Sequence, residues 1–320
     1  MKKSMLLVLL LSPSFLFSQT LGNKAQAYKD VVMKYAYNHL TPMQIKVLKQ
    51  DYCGPECYTT FVGGEFVPWD KKSSDKIILG EIGTVVHEST HGFTHGNNER
   101  YVVSETSFIE IEKTDIVKSN LIVDDMIKRN PKVKDMFRFD TYVNTNRNTS
   151  SSFSGIYGLM NEYCAYYNGT STSFILFEVF KEKHSNNEAE EILFRQIENK
   201  LALSMMSSVT AFYEFNSFIG AYLLYVEENE GQVYKDIINN TALVTAYSTV
   251  TTNFNSIAQE IHNYFPEHQI RHESFFGNGG YSISTMGSNE NLLVAQEIFQ
   301  DYVDVLNRFN TDNLILTKNK

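Results

Sequence analysis

Apolar positions recur at three- and four-residue spacing through most of the chain, which is the pattern of helices packed on a core. The stretch from residue 173 to about 265 is nearly all of this kind and is rich in Phe, Tyr, Leu and Met. Alternating apolar and polar positions occur over 101–117, which predicts one or two strands. The pattern predicts a mostly helical α+β protein with a small β-sheet.

Two of the helices predicted before the long helical stretch matter most for the candidate site. The first covers about residues 77–95 and the second about 156–167, where Asn168-Gly169 is typical of a helix end. Helical spacing then dominates about residues 173–320, and the last apolar segment, 291–309, predicts one closing helix.

Residues 1–18 have the pattern of a secretory signal peptide. A lysine-bearing start precedes the apolar run Met5–Leu11, and a mixed stretch from Ser12 to Ser18 ends in a small residue, with cleavage after Ser18 or Gln19. The run is too short to span a bilayer, and no later stretch reaches about 18 apolar residues without charges. The sequence therefore predicts one compact mature domain, 19–320, exported to the periplasm or the extracellular space, with no membrane span after signal cleavage.

Composition and charge exclude some partners. The chain has 320 residues, 42% of them hydrophobic, with 28 basic and 37 acidic side chains and a net charge of −9. Without a dense basic patch, a nucleic-acid partner is not expected.

Cys53 and Cys57 predict a small disulfide loop in an oxidising compartment, with reduced thiols or half of a metal site as alternatives. Cys164 lies in an apolar helical pattern and predicts a buried thiol.

The segment His87-Glu88-Ser89-Thr90-His91 carries the candidate chemistry. Residues four apart lie on one face of a helix, so His87 and His91 can direct two imidazole nitrogens at one cation. Glu88 lies beside them and can reach a water on that cation, an arrangement used for metal-assisted hydrolysis. The alternative is a helix in which both histidines make ordinary hydrogen bonds.

A catalytic zinc usually has three protein ligands and one open position. The pattern HExxHxxGxxH fails, because Thr94 and Asn97 stand where its glycine and third histidine would be. His95 lies about 12 Å along a helix axis from His87, too far for one tetrahedral ion. Glu162 is a lone carboxylate in an apolar and aromatic helix, so a metal would give it a partner. We therefore predict Glu162 as the third ligand, with pairing to Lys or Arg, or a solvent-facing position, as the alternative.

His87-Glu88-x-x-His91, followed on a second helix by Asn161-Glu162-x-x-Ala165, resembles the gluzincins, the zinc peptidases whose third ligand is a glutamate. The helix around the first motif is similar to that of neprilysin-type and thermolysin-type peptidases. The resemblance implies a zincin-like fold, with a small β-sheet packed on the active-site helix and a large helical C-terminal part. It also implies one Zn²⁺ per chain on His87, His91 and Glu162, with Glu88 as the general base.

One position departs from the gluzincin pattern. Those enzymes commonly have an Asp one turn after the third ligand, where it orients a ligand histidine, and here Tyr166 occupies that place.

The expected function is a secreted zinc metallopeptidase that hydrolyses a peptide or protein substrate through a zinc-bound water. Two alternatives stay open. One is a structural or adhesion protein whose zinc has a fourth ligand such as His95 or Cys164, and the other is a metallohydrolase of a non-peptide amide.

Overall fold

The computed structural model describes residues 30, 34, 36–50, 79–80, 82–95, 98–145, 150–186, 191–264 and 289–310. The predicted signal peptide and the predicted Cys53–Cys57 disulfide lie outside these residues. Within them the chain is mostly helical, with a two-stranded antiparallel sheet, so the prediction of a helix-dominated α+β protein is confirmed at that level.

The regular elements follow one another in a simple order. They are α1 (Pro42–Lys49), α2 (Ile82–Thr94), β1 (Glu99–Val102), β2 (Phe108–Ile111), α3 (Val123–Arg129), α4 (Phe139–Tyr142), α5 (Ser150–Phe153), α6 (Gly155–Asn186), α7 (Glu191–Asn229), α8 (Gly231–Asn239), α9 (Thr241–Tyr264), α10 (Asn289–Gln300) and α11 (Val303–Phe309). Short 3₁₀ helices at Ser119–Ile122 and Pro131–Asp135 flank α3.

The two strands form a hairpin directly after α2. Their register pairs Glu99 with Ile111 and Val102 with Phe108. Tyr101 and Ile111 are fully buried, so one side of the hairpin packs on the core. The prediction of one or two strands over 101–117 is confirmed: β2 lies within that range, and β1 overlaps its start and begins two residues earlier. Residues 112–117 form no strand.

Helix α6 is much longer than the predicted helix 156–167, because Asn168 and Gly169 do not end it. Asn168 is buried, and its side-chain NH₂ donates to the backbone oxygens of Cys164 at 2.7 Å and Val102 at 3.2 Å. The amide therefore ties the helix to β1 instead of capping it. Tertiary contacts override the turn preference of this dipeptide.

Two other boundaries differ from the predictions. The helix expected over 77–95 begins at Ile82, and Leu79-Gly80 form a 3₁₀ turn before it. The closing helix expected over 291–309 is divided into α10 and α11 by a turn at residues 301–302. Apolar spacing persists through this turn, which explains why the pattern did not reveal it.

Helices α2 and α6 cross in antiparallel directions at very close range. A Cβ on Gly83 would lie 2.1 Å from Oγ of Ser173, and a Cβ on Gly169 would lie 2.7 Å from the backbone oxygen of Gly83. Eight residues further along α2, His91 contacts Asn161, which lies eight residues before Gly169 on α6. Small residues at the crossing thus bring two helix backbones together and set the relative register of their side chains.

Helix α6 also packs along α7, and this pair supports the main hydrophobic core with α9 and α11. A second cluster of buried apolar side chains joins Ile82, Val85 and Val86 of α2 to parts of α6 and α7. Helix α2 is therefore anchored by one face, which leaves its histidine-bearing face against α6. In the ranges the structure describes, no helix is both long enough and apolar enough to cross a membrane.

Candidate metal centre

Helix α2 presents His87 and His91 one turn apart, as the spacing predicts. The Nε2 atoms of the two rings lie 3.1 Å apart, and the ring planes meet at 85°. Val86 and Phe93 are fully buried on other sides of the helix, so its orientation is set by packing. Both imidazoles therefore direct the same nitrogen towards one point.

Glu162 reaches that point from α6. Its Oε2 atom lies 3.3 Å from Nε2 of His91 and 3.8 Å from Nε2 of His87. The side chain is 9% exposed, and Oε2 is buried without a hydrogen-bond partner among the described residues. No Lys or Arg of the described chain pairs with Glu162 either, so the alternative of an ordinary ion pair is not what the structure shows.

The spacing of these three atoms suits a tetrahedral metal site. Nitrogen and oxygen ligands lie roughly 2.0–2.1 Å from zinc, which places tetrahedral ligands about 3.3 Å from one another. The observed separations of 3.1, 3.3 and 3.8 Å bracket that value. His87, His91 and Glu162 also form the group of possible metal ligands within the described residues. The orphaned carboxylate oxygen and the donor set both fit a zinc ion.

Asn161 orients one of the histidines. Its Oδ1 lies 2.9 Å from Nδ1 of His91, and because an amide oxygen only accepts, Nδ1 must carry the proton that it donates. Nε2 of His91 then faces the cluster. This role of Asn161 was not predicted from the sequence, where the available signal was a polar residue next to Glu162 in an apolar helix.

Tyr166 contacts the other histidine through its ring. The two ring centroids lie 4.5 Å apart with an interplanar angle of 76°, so the contact is edge-to-face. The Tyr166 hydroxyl shares a hydrogen bond of 3.0 Å with the hydroxyl of Tyr142. Tyr166 therefore supports His87 by packing, and its hydroxyl is used elsewhere.

Glu88 lies beside the cluster and outside the group of three. Its Oε1 is 4.0 Å from Nε2 of His87, and its side chain is 37% exposed, far more than that of Glu162. Burial raises the pKa of Glu88 from its ordinary value, the positive charge of His91 opposes this, and the nearby Glu162 adds to it. A partly accessible carboxylate with a raised pKa is suited to taking up and returning a proton.

The two histidines differ in their affinity for protons. Burial lowers the pKa of His87, and the charges of His91 and Arg138 lower it further. Burial also opposes protonation of His91, but the negative charge of Glu162 and the hydrogen bond to Asn161 outweigh it and raise the pKa of His91 to about 9. The cluster therefore favours one positive charge held between its three side chains.

The other residues considered as ligands lie apart from this group. His95 follows the last residue of α2, is exposed, and does not join the three. Cys164 is a free thiol that is fully buried, and burial, followed by the charge of Glu99, raises its pKa. Among the described residues, neither supplies a fourth ligand atom.

Comparison of the chain with protein-family models, with curated proteins and with solved structures found no match. The resemblance to gluzincins consequently depends on the residues of α2 and α6.

Proposed function

We propose that this protein is an exported zinc-dependent hydrolase of the gluzincin type that cleaves peptide bonds. The proposal includes a zincin-like arrangement, in which the hairpin β1–β2 follows an active-site helix α2 and the third ligand comes from a second helix α6. A peptide or protein is the proposed substrate.

One observation carries the proposal. Oε2 of Glu162 is buried, has no hydrogen-bond partner in the described part of the chain, and lies 3.3 and 3.8 Å from two imidazole nitrogens. A buried carboxylate oxygen without a partner is costly. A cation between Glu162, His87 and His91 would satisfy all three ligand atoms at once.

The chemistry follows from which groups are buried and which are accessible. A zinc ion held by these three residues would supply Lewis-acid polarisation of a substrate carbonyl and of water. Glu88 would accept one proton from the water whose oxygen adds to the carbonyl carbon. It would then return that proton to the amine nitrogen as the C–N bond breaks. Asn161 would hold His91 in the tautomer that leaves Nε2 available to the metal.

The structural-zinc alternative requires a closed site with a fourth protein ligand. Within the described residues the group contains only His87, His91 and Glu162, and the more exposed Glu88 lies to one side of it. These features favour turnover over a purely structural metal. The metallohydrolase of a non-peptide amide would use the same residues, so substrates must distinguish it.

The test begins with the metal. Mature protein starting at residue 19 should bind about one zinc per chain, measured by elemental analysis after dialysis. Replacing His87 or His91 with Ala should remove it. A mature protein that holds no zinc and shows no affinity for it would contradict the proposal.

The second part of the test is turnover. The zinc-loaded protein should cleave members of a quenched-fluorescence peptide library, and chelation should stop the reaction. Glu88→Gln should lower the rate by about 10²–10⁴-fold, the usual contribution of a positioned base, while zinc stays bound. Hydrolysis of small amides with no peptide cleavage would favour the non-peptide alternative. Zinc binding without any hydrolysis would favour the structural one.

A further inference from the structure

The ring of His87 is held by contacts from α6. Its Nε2 faces the ligand cluster. Two contacts position the side chain: the ring of Tyr166, and the backbone of Gly169, where an added Cβ would lie 3.2 Å from Cβ of His87. The ring orientation of His87 thus depends on where Tyr166 stands.

We propose that Arg138, held by Glu214, is a positioning residue that fixes Tyr166 against His87 and thereby shapes the metal site. This inference rests on the proposed zinc site. In the gluzincins a carboxylate commonly orients a ligand histidine. Here the ring of Tyr166, with the buried cation Arg138 behind it, would orient His87.

The ring of Tyr166 is held on several sides. The guanidinium carbon of Arg138 lies 4.6 Å from the ring centroid, within the range of a cation–π contact. The ring of Phe215 packs at 5.2 Å, and the hydroxyl is bonded to Tyr142. With a cation, a neighbouring ring and a hydrogen bond acting on it, Tyr166 has little freedom to rotate away from His87.

Arg138 is itself fixed in the interior. It is 3% exposed, and Glu214 is fully buried. One Nη donates to Oε2 of Glu214 at 2.7 Å, the backbone N–H of Arg138 donates to Oε1 at 3.1 Å, and the second Nη donates to Ser207 at 3.2 Å. The acceptors of these bonds, on Glu214 and Ser207, lie on α7. The longest helix of the described chain therefore determines the position of the guanidinium.

The orientation of the guanidinium favours this assignment over a purely stabilising one. Its Nε is buried without a hydrogen-bond partner among the described residues. A buried ion pair seldom adds net stability, because desolvation offsets the attraction between the charges. Arg138 lies over the ring of Tyr166 and leaves its Nε donor unused. The Arg138–Glu214 pair is therefore better explained by the position it gives Tyr166 than by the stability it adds.

The experiment compares variants in a metal-binding assay that does not require turnover. Tyr166→Leu removes the ring, and the double variant R138M/E214M removes both buried charges while keeping the volume apolar. Both should lower zinc affinity roughly 10–100-fold, the usual cost of losing an orienting partner, in competition with a chromophoric chelator. Tyr166→Phe keeps the ring and its contact with the cation, so it should bind zinc nearly as the unaltered protein does. Arg129→Met, which removes an arginine paired with carboxylates at the surface, is the matched control.

A second readout separates positioning from general stability. Saturated with Co²⁺, the Tyr166→Leu and R138M/E214M proteins should show altered d–d absorption, whereas Tyr166→Phe and Arg129→Met should match the unaltered spectrum. If Tyr166→Leu bound zinc with undiminished affinity and gave an unaltered cobalt spectrum, the inference would be wrong even if R138M/E214M failed to fold. If the unaltered protein bound neither metal, the proposed function would fall first. Zinc binding and hydrolysis unaffected by these variants would refute only the positioning role.

Discussion

Exchanging two carboxylates for amides, one at a time, separates the ligand from the base in the proposed site. Glu162→Gln and Glu88→Gln are the same chemical change on facing helices, and both carboxylates lie within 4.0 Å of Nε2 of His87. Only Glu162 belongs to the group that converges on one point. We therefore expect Glu162→Gln to weaken zinc binding and Glu88→Gln to leave it nearly unchanged.

The size of the effect follows from ligand count. Losing an orienting partner costs up to about 100-fold in metal affinity, so losing one of three direct ligands should cost at least that. At a free zinc concentration of about 100 times the dissociation constant, binding stabilises the folded protein by about 2.7 kcal/mol. A 100-fold weaker site would leave about 0.4 kcal/mol at the same concentration.

Thermal unfolding with zinc and with chelator measures this difference within each variant. At about 2–4 °C per kcal/mol, zinc should raise the melting temperature of the unaltered protein and of Glu88→Gln by roughly 5–10 °C. For Glu162→Gln the rise should be about 1 °C. Comparing each variant with its own metal-free form cancels any effect of the substitution on metal-free stability. A full zinc-dependent rise in Glu162→Gln, or its loss in Glu88→Gln, would refute the assignment of roles.

The remaining predictions concern the packing around the site. Gly169→Ala should lower both the melting temperature and the zinc content, because the new Cβ would lie 2.7 Å from a backbone oxygen of α2. Gly231→Ala should change neither and serves as its control, because a Cβ added there would meet no other part of the described structure within 4 Å. Asn161→Leu should lower zinc affinity roughly 10–100-fold, because Nδ1 of His91 would lose the acceptor that keeps its proton there. Helix content, measured by circular dichroism, should not fall. Cys164 should resist alkylation in the folded protein and react only in denaturant, as peptide mapping would show, because it is fully buried.

The parts of the site set by short-range geometry could be predicted from the sequence. His87 and His91 converge because residues four apart share a helix face, whatever the rest of the fold does. Glu162 was identified because a lone carboxylate in an apolar helix requires a partner. The structure brings these three side chains together, and it places Glu88 beside them.

The parts set by contacts between distant elements could not be predicted. Arg138 and Glu214 are 76 residues apart, and nothing in the local pattern around either one indicates the pair. The same limit explains the helix boundary predicted wrongly at Asn168 and Gly169. Asn-Gly favours a helix end when only neighbours are considered, but here the amide bonds to β1 and the glycine admits the backbone of α2. Local preference amounts to about 1 kcal/mol per residue, which close packing of two helices readily exceeds.

The metal site and the helix crossing are one structure. On α6, Glu162, Tyr166, Gly169 and Ser173 follow at helical spacing and face α2 in turn: the first meets His91, the next two hold His87, and the last two meet Gly83. A larger residue at Gly169 or Ser173 would separate the helices and draw His87 away from Glu162. The residues needed for metal binding therefore extend beyond the HExxH motif. They include Gly169 and Ser173 on α6, which let the two helices approach closely enough for Glu162 to reach the histidines.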